Sequence, residues 1–179
     1  MSGAEWLSYS LQDFVMFGPQ VFLRLFVRIN QDLWPWQLLA VVAAIGILVL
    51  LLRQGDAARR LALGLVAVAW VTSGYGVLVG YFSPINWPAT WFGWAFVAQG
   101  ALLGAALFCG GVHKGRLPVR QFVVLWLVAV CGLPFLAVAD SGQWQSVALF
   151  GIAPGTTAAA GALVIALVTG PWRWLYLPL

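Results

Sequence analysis

Charge is scarce in this chain. Only 8% of its 179 residues are Asp, Glu, Lys or Arg, against about 25% in an ordinary soluble domain. Such a sequence cannot cover a water-facing surface. Five acids and one His also leave little material for acid–base catalysis. No Ser-His-Asp arrangement, no carboxylate pair within reach, no CxxC pair and no phosphate loop can be read along it. The expectation is a protein that is not an enzyme. Cysteine is equally rare. Cys109 and Cys131 are too few for a disulfide framework, and on the spans given below their depths differ by roughly 10 Å. A disulfide requires Cα atoms within about 7 Å, so both are expected as free thiols in apolar packing. One His and two separated Cys offer no metal-ligand spacing, and no cofactor is expected.

A basic leader is missing as well. Residues 1–20 carry Glu5 and Asp13, no Lys or Arg, and are broken at Gly18-Pro19, which excludes the charged n-region of a cleavable signal peptide. Targeting is then expected to rest on the first true span.

What the chain has in excess is apolar and aromatic surface: 63% hydrophobic residues, 11 Trp and a mean hydropathy of +0.94. The expected fold is all-α, a multi-pass transmembrane helical bundle with an N-terminal amphipathic interfacial helix. At roughly 20 residues per crossing, five spans emerge, about 36–52, 61–82, 90–112, 121–139 and 156–170, with 1–33 as a separate outer unit. Within that unit Ser10 and Asp13 resemble a capping box, and Pro19 suits the first turn of a following helix. There Phe22, Leu25, Phe26, Ile29 and Leu33 recur at helical spacing, opposite Arg24, Arg28 and Gln31. This amphipathic helix is expected flat in the membrane interface, the alternative being a partner's surface. Pro134 is expected to kink the fourth span.

The loops sort by charge. Arg53, Arg59, Arg60, Lys114, Arg116, Arg120 and Arg173 fall on one side with Asp56, whereas Glu5, Asp13, Asp32 and Asp140 fall on the other with Arg24 and Arg28. The positive-inside rule then places the N-terminus outside and the C-terminus inside. Trp34, Trp36, Trp87, Trp91 and Trp144 form an outer aromatic belt, and Trp172, Arg173, Trp174 and Tyr176 an inner anchor. This distribution explains a pI near 9.6 without nucleic acid as a partner.

No Asp, Glu, Lys, Arg or His lies inside any of the five spans, which argues against a proton-coupled transporter, a pump or a voltage sensor. Thr72-Ser73-Gly74-Tyr75-Gly76 superficially resembles a potassium filter, but it sits in mid-span and reads as small-residue packing. Gly76 with Gly80 and Gly100 with Gly104 form two GxxxG patterns, expected to pack helices internally or between subunits. Gln99 is the strongly polar side chain deep in a span and is expected to bond a neighbouring helix. The weak binding candidates are Asn86, Gln99, Asp140, Thr156 and Thr157. Thr156 and Thr157 open the fifth span, where Thr is first a cap and second part of an anion site. Asp140 either binds a cation or ends the fourth span. His113 beside Lys114 reads as a solvated loop residue.

Several stretches resemble a known group. The segment SLQDFVMFGP from Ser10 to Pro19, Phe22-Leu-Arg-Leu-Phe26, Asn30 to Trp34-Pro35, Ser83-Pro-Ile-Asn86 and Phe150-Gly-Ile-Ala-Pro-Gly-Thr-Thr157 look like small bacterial inner-membrane proteins known as a domain of unknown function. The resemblance implies a bacterial inner-membrane location and no established activity. Relatives often carry Cys before the Pro/Thr segment, where this chain has Ala153-Pro-Gly155, and tend to continue into a further span after the Arg-Trp anchor.

Two functions follow as expectations. The first is a structural or accessory subunit of a larger inner-membrane complex, with the lipid bilayer and other membrane subunits or further copies of the chain as partners. The alternative is a transporter or channel for a small neutral or weakly charged solute, with the outer loops as its mouth. A lipid-acting enzyme ranks third, because no nucleophile has a base beside it.

Overall fold

The computed structural model describes residues 19–53, 55–108 and 118–166. The expectations for the Ser10/Asp13 cap, Cys109, His113, Lys114 and the Trp172–Tyr176 anchor lie outside these residues. All regular structure among the described residues is helical. In chain order, α1 covers Pro19–Asp32, α2 Trp36–Leu52, α3 Asp56–Phe82, α4 Pro88–Ala106, α5 Arg120–Ser141 and α6 Pro154–Ile165. A 3-10 turn, Trp144–Ser146, lies between α5 and α6.

By length and composition, α3 and α5 are long and apolar enough to cross a membrane, and α1 with α2 would make a third candidate if counted as one bent span. The two bend by 96° at a break around Trp34-Pro35, whose peptide is cis. At 12 residues α6 falls short of a crossing.

Helix α1 begins at Pro19 as the sequence suggests, and the expected apolar stripe forms. Its place differs from expectation. Phe22, Leu25, Phe26, Ile29 and Leu33 pack on Val77, Leu78 and Phe82 of α3, Ala89 of α4 and Ile152. Phe22 and Phe82 stack with centroids 5.9 Å apart. The stripe is therefore occupied by this chain's own helices. Burying apolar rings against rings satisfies the same amphipathic pattern that lipid would. The opposite face, Arg24, Arg28, Gln31 and Asp32, is exposed.

The second core cluster surrounds Trp70, joining Ile47 of α2, Leu63 and Val66 of α3, Leu103 of α4, Trp126 of α5 and Val164 of α6. Helices α3 and α4 form its centre, connected by the short turn 83–87, so they run as antiparallel neighbours. Their contact depends on missing side chains. A Cβ on Gly74 would lie 2.6 Å from Phe96 Cβ and 2.7 Å from Gly93 O; one on Gly93 would lie 2.9 Å from Gly74 O; one on Gly100 would lie 2.8 Å from Ala67 O. Gly100 thus packs as expected. Gly76 and Gly104 meet open space, and the nearest atom to Gly80 is Tyr75 O of its own helix. The close approach uses Gly74 and Gly93 instead: Ala67, Val71, Gly74 and Leu78 form the face of α3 that meets α4, and Gly76 lies on the opposite side. From Thr72 to Phe82 α3 is wound as a π-helix, with Ser83 N–H donating to Leu78 O.

A second π stretch, Val128–Gly132, interrupts α5 just before Pro134. Leu133 N–H reaches back five residues to Val128 O, accommodating a ring that would clash in an unbroken α-ladder. Cys131 is free but exposed on this helix, not packed as expected.

Replacing Gly93 by Leu should destabilise the fold by about 1–3 kcal/mol through overpacking, whereas Leu at Gly104 should leave it nearly unchanged. Thermal unfolding of the two purified variants checks this, and equal midpoints would contradict the assigned contact.

Candidate functional site

After the 3-10 turn, the residues Val147–Ala153 leave helical geometry, yet Phe150, Ile152 and Ala153 are buried. They pass beside the middle of α3, where a Cβ on Gly151 would lie 3.6 Å from Ala69 Cβ. Gly151 has φ +80, a conformation other residues adopt only with strain. A buried non-helical backbone must find hydrogen bonds outside itself, and here side chains provide them.

Asn30 Nδ2 of α1 donates to Gln145 O at 2.7 Å and to Val147 O at 2.9 Å. Gln37 of α2 in turn donates to Asn30 O and, at 3.2 Å, to Asn30 Oδ1. Thr156 Oγ1 donates to Ala148 O at 2.7 Å. Thr72 Oγ1 donates to Gly151 O at 3.0 Å, and Ser73 Oγ to Ile152 O at 3.1 Å. Thr157 Oγ1 donates to Ala153 O at 2.8 Å and accepts Gly151 N–H at 2.8 Å. Leu149 O accepts the N–H groups of Ile152 and Ala153. Five polar side chains from α1, α3 and α6 thus hold one segment.

This arrangement places the sequence candidates. Thr156 and Thr157 are buried in the clamp and do not line an open mouth. They lie inside the first turns of α6, whose N-cap is Ala153. Asn86 sits at the α3–α4 turn, where its N–H donates to Phe82 O and its carbonyl accepts Ala89 N–H; α4 has no side-chain cap. Gln99 is buried in α4 and has a partner within the chain. Asp140 is exposed near the end of α5, one residue before Ser141, whose hydroxyl meets that of Ser146. No group of three or more His, Cys, Asp or Glu among the described residues could hold a metal ion.

Sequence reasoning passed over Asn30, Thr72 and Ser73 as functional groups. A signal existed for Asn30: between Phe26 and Leu33 it interrupts the apolar stripe of an amphipathic helix. Thr72 and Ser73 are hydroxyls in mid-span, where packing was the simpler reading. Gly74 does pack on α4 as that reading requires.

Beside the clamp lies an apolar groove of about 560 Å³ between α2 and α3. Trp36, Leu39 and Ala43 form one wall, Leu65, Val68 and Tyr75 the other, and Gly151 lies at its base. A smaller hollow of about 270 Å³ on the other flank of α2 shares Ala40 and Phe150 with it. Helix α2 buries Ala44, Ile47 and Leu51 and leaves Leu38, Leu39 and Val42 exposed. Its first turns are tied to α1 by Gln37 and packed through Ala40, and the groove lies beside them.

A family comparison covers both α1 and the clamp. The chain belongs to the family of unknown function DUF6064, whose model matches residues 19–176. The match takes in Asn30, Thr72, Ser73, Thr156 and Thr157 together. No curated protein and no solved structure matches the chain.

For this DUF6064 member, Thr157→Val should cost about 1–3 kcal/mol by leaving Gly151 N–H without its buried acceptor. Thr157→Ser should retain most of the stability. Unfolding midpoints of the two variants decide the matter, and a Val variant as stable as the parent would remove the clamp's structural role.

Proposed function

We propose that the chain is a non-catalytic, multi-pass membrane protein that serves as an accessory or structural subunit of a larger inner-membrane complex. The carrying observation is α5: its best window has a mean hydropathy of 2.6, yet only 22% of it is buried within the chain. Val124, Leu125, Val128, Phe135 and Leu136 are exposed along it. A contiguous apolar face of this kind marks a lipid or partner contact. The polar inventory supports the same reading. The hydroxyls of Thr72, Ser73, Thr156 and Thr157 and the amide of Asn30 bond this chain's own carbonyls. They are structural donors, with no nucleophile and base set beside one another.

The transport alternative would use Thr156 and Thr157 at a solute mouth, and their inward bonding counts against it. Partner helices or further copies of the chain are the proposed cover for α5. The charge pattern supports a bacterial inner-membrane location with the α1 side outward. A reporter after Arg116 that reacted from the outside would reverse this orientation.

An arginine at Leu136 tests the reading. Placed in a span it should raise the insertion cost by as much as about 2.5–3.5 kcal/mol, lowering the membrane-integrated fraction after alkaline extraction. Normal yield of the Leu136→Arg variant, or parent protein that stays dissolved without detergent, would overturn the membrane reading. Recovery of the parent as a lone monomer in mild detergent would instead overturn the subunit role.

A further inference from the structure

We infer that residues 144–165 cross the membrane as one discontinuous segment, a non-helical half followed by the helical half α6, with the break between them sealed by this chain's own helices. The inference rests on the membrane reading above. The path of the segment carries it. Its first residues, Trp144–Ser146, pack on α1 and on the Leu133–Ser141 end of α5. This is the end of the bundle where α1 covers Phe82 of α3. Gly151 then lies beside Ala69, the midpoint of α3. Helix α6 continues past Trp70, whose indole packs on Gly161. It rests mostly on the Asp56–Val71 half of α3 and meets Val119–Leu127, the other end of α5. The segment therefore enters at one end of the bundle and runs toward the opposite one.

Its dimensions agree. The 12 residues of α6 span about 18 Å at 1.5 Å per residue, a little over half of a hydrocarbon core of about 30 Å. Residues 147–153 reach at most about 25 Å when fully extended, enough for the other half. Neither half crosses alone. A break at mid-depth needs its backbone enclosed by protein or facing a water-filled cavity. Discontinuous helices of transporters use the second arrangement, turning unwound carbonyls to a coordinated ion. Here the carbonyls of Val147, Ala148, Leu149, Gly151, Ile152 and Ala153 all accept hydrogen bonds from this chain. Ile152 and Ala153 are themselves buried. The break is closed by protein donors and gives no passage between the two sides. Gly155, just beyond it, is exposed, and a Cβ there meets nothing within 4 Å.

The test uses single-cysteine versions of the full chain carrying Cys109→Ser and Cys131→Ser. The added substitutions are Gln143→Cys, Gly155→Cys and Ala166→Cys, all at exposed positions. An impermeant maleimide is applied to intact and to lysed spheroplasts. Gln143→Cys and Ala166→Cys should label from opposite sides, one in intact spheroplasts and the other only after lysis. Nitroxides on the three sites are then compared in vesicles of phosphatidylethanolamine and phosphatidylglycerol. The label on Gly155→Cys should be relaxed more by oxygen than by a water-soluble nickel chelate, and the other two should show the reverse order. Labelling of Gln143→Cys and Ala166→Cys from the same side makes the segment a re-entrant loop and overturns the crossing. Nickel relaxation at Gly155→Cys as strong as at Gln143→Cys makes the break water-lined and overturns the seal. Either result leaves the membrane reading intact if the protein stays with the vesicles after alkaline washing. Release of all three variants by that wash takes the membrane reading down as well.

Discussion

A buried non-helical backbone cannot leave its carbonyls unpaired, and most of this architecture answers that requirement. The segment from Val147 to Ala153 runs beside Ala69 and Ser73 of α3, among apolar neighbours. Buried irregular backbone is tolerated where side chains satisfy its polar groups. Here α1 contributes Asn30, α3 contributes Thr72 and Ser73, and α6 contributes Thr156 and Thr157. The same bonds tie α1 across the ends of the other helices and start α6 beside the middle of α3. Removing the segment's partners would release three elements at once.

The second constraint is the distance between α3 and α4. Helix backbones can approach this closely only where side chains are small or missing at the contact. Gly74, Gly93 and Gly100 permit backbone contact, and the indole of Trp70 fills the neighbouring layer against Phe96, 4.4 Å between centroids. Trp70 also packs against Gly161 of α6, leaving Nε1 as the buried side-chain polar atom without a partner among the described residues. The groove lies beside α2, which buries Ala44, Ile47 and Leu51 and meets α1 through Gln37 and the core cluster around Val77 and Phe82 through Ala40.

Much of the fold was legible because local periodicity survives tertiary context. The apolar stripe Phe22, Leu25, Phe26, Ile29 and Leu33 is a property of one helix, so its membership could be read directly. Its neighbour could not, since lipid, a partner helix and Phe82 satisfy the same stripe equally well. The glycine contact failed for a related reason. GxxxG marks small residues without saying which side of a helix meets a neighbour, and the contact follows Ala67, Val71, Gly74 and Leu78, the side of α3 opposite Gly76. The candidate site was partly legible: Thr156 and Thr157 were singled out as polar groups at a helix start, but their acceptors lie in a segment whose path no local rule specifies.

Composition and periodicity alone settled that this chain is helical and poor in charge, because those properties reside in residue types and their spacing. The tertiary structure decided which polar groups meet and where a cavity remains. Hydrogen-bond pairing between Asn30 and Val147, or between Thr72 and Gly151, joins residues far apart in the chain. Such pairing depends on three-dimensional proximity, a quantity that sequence distance does not encode.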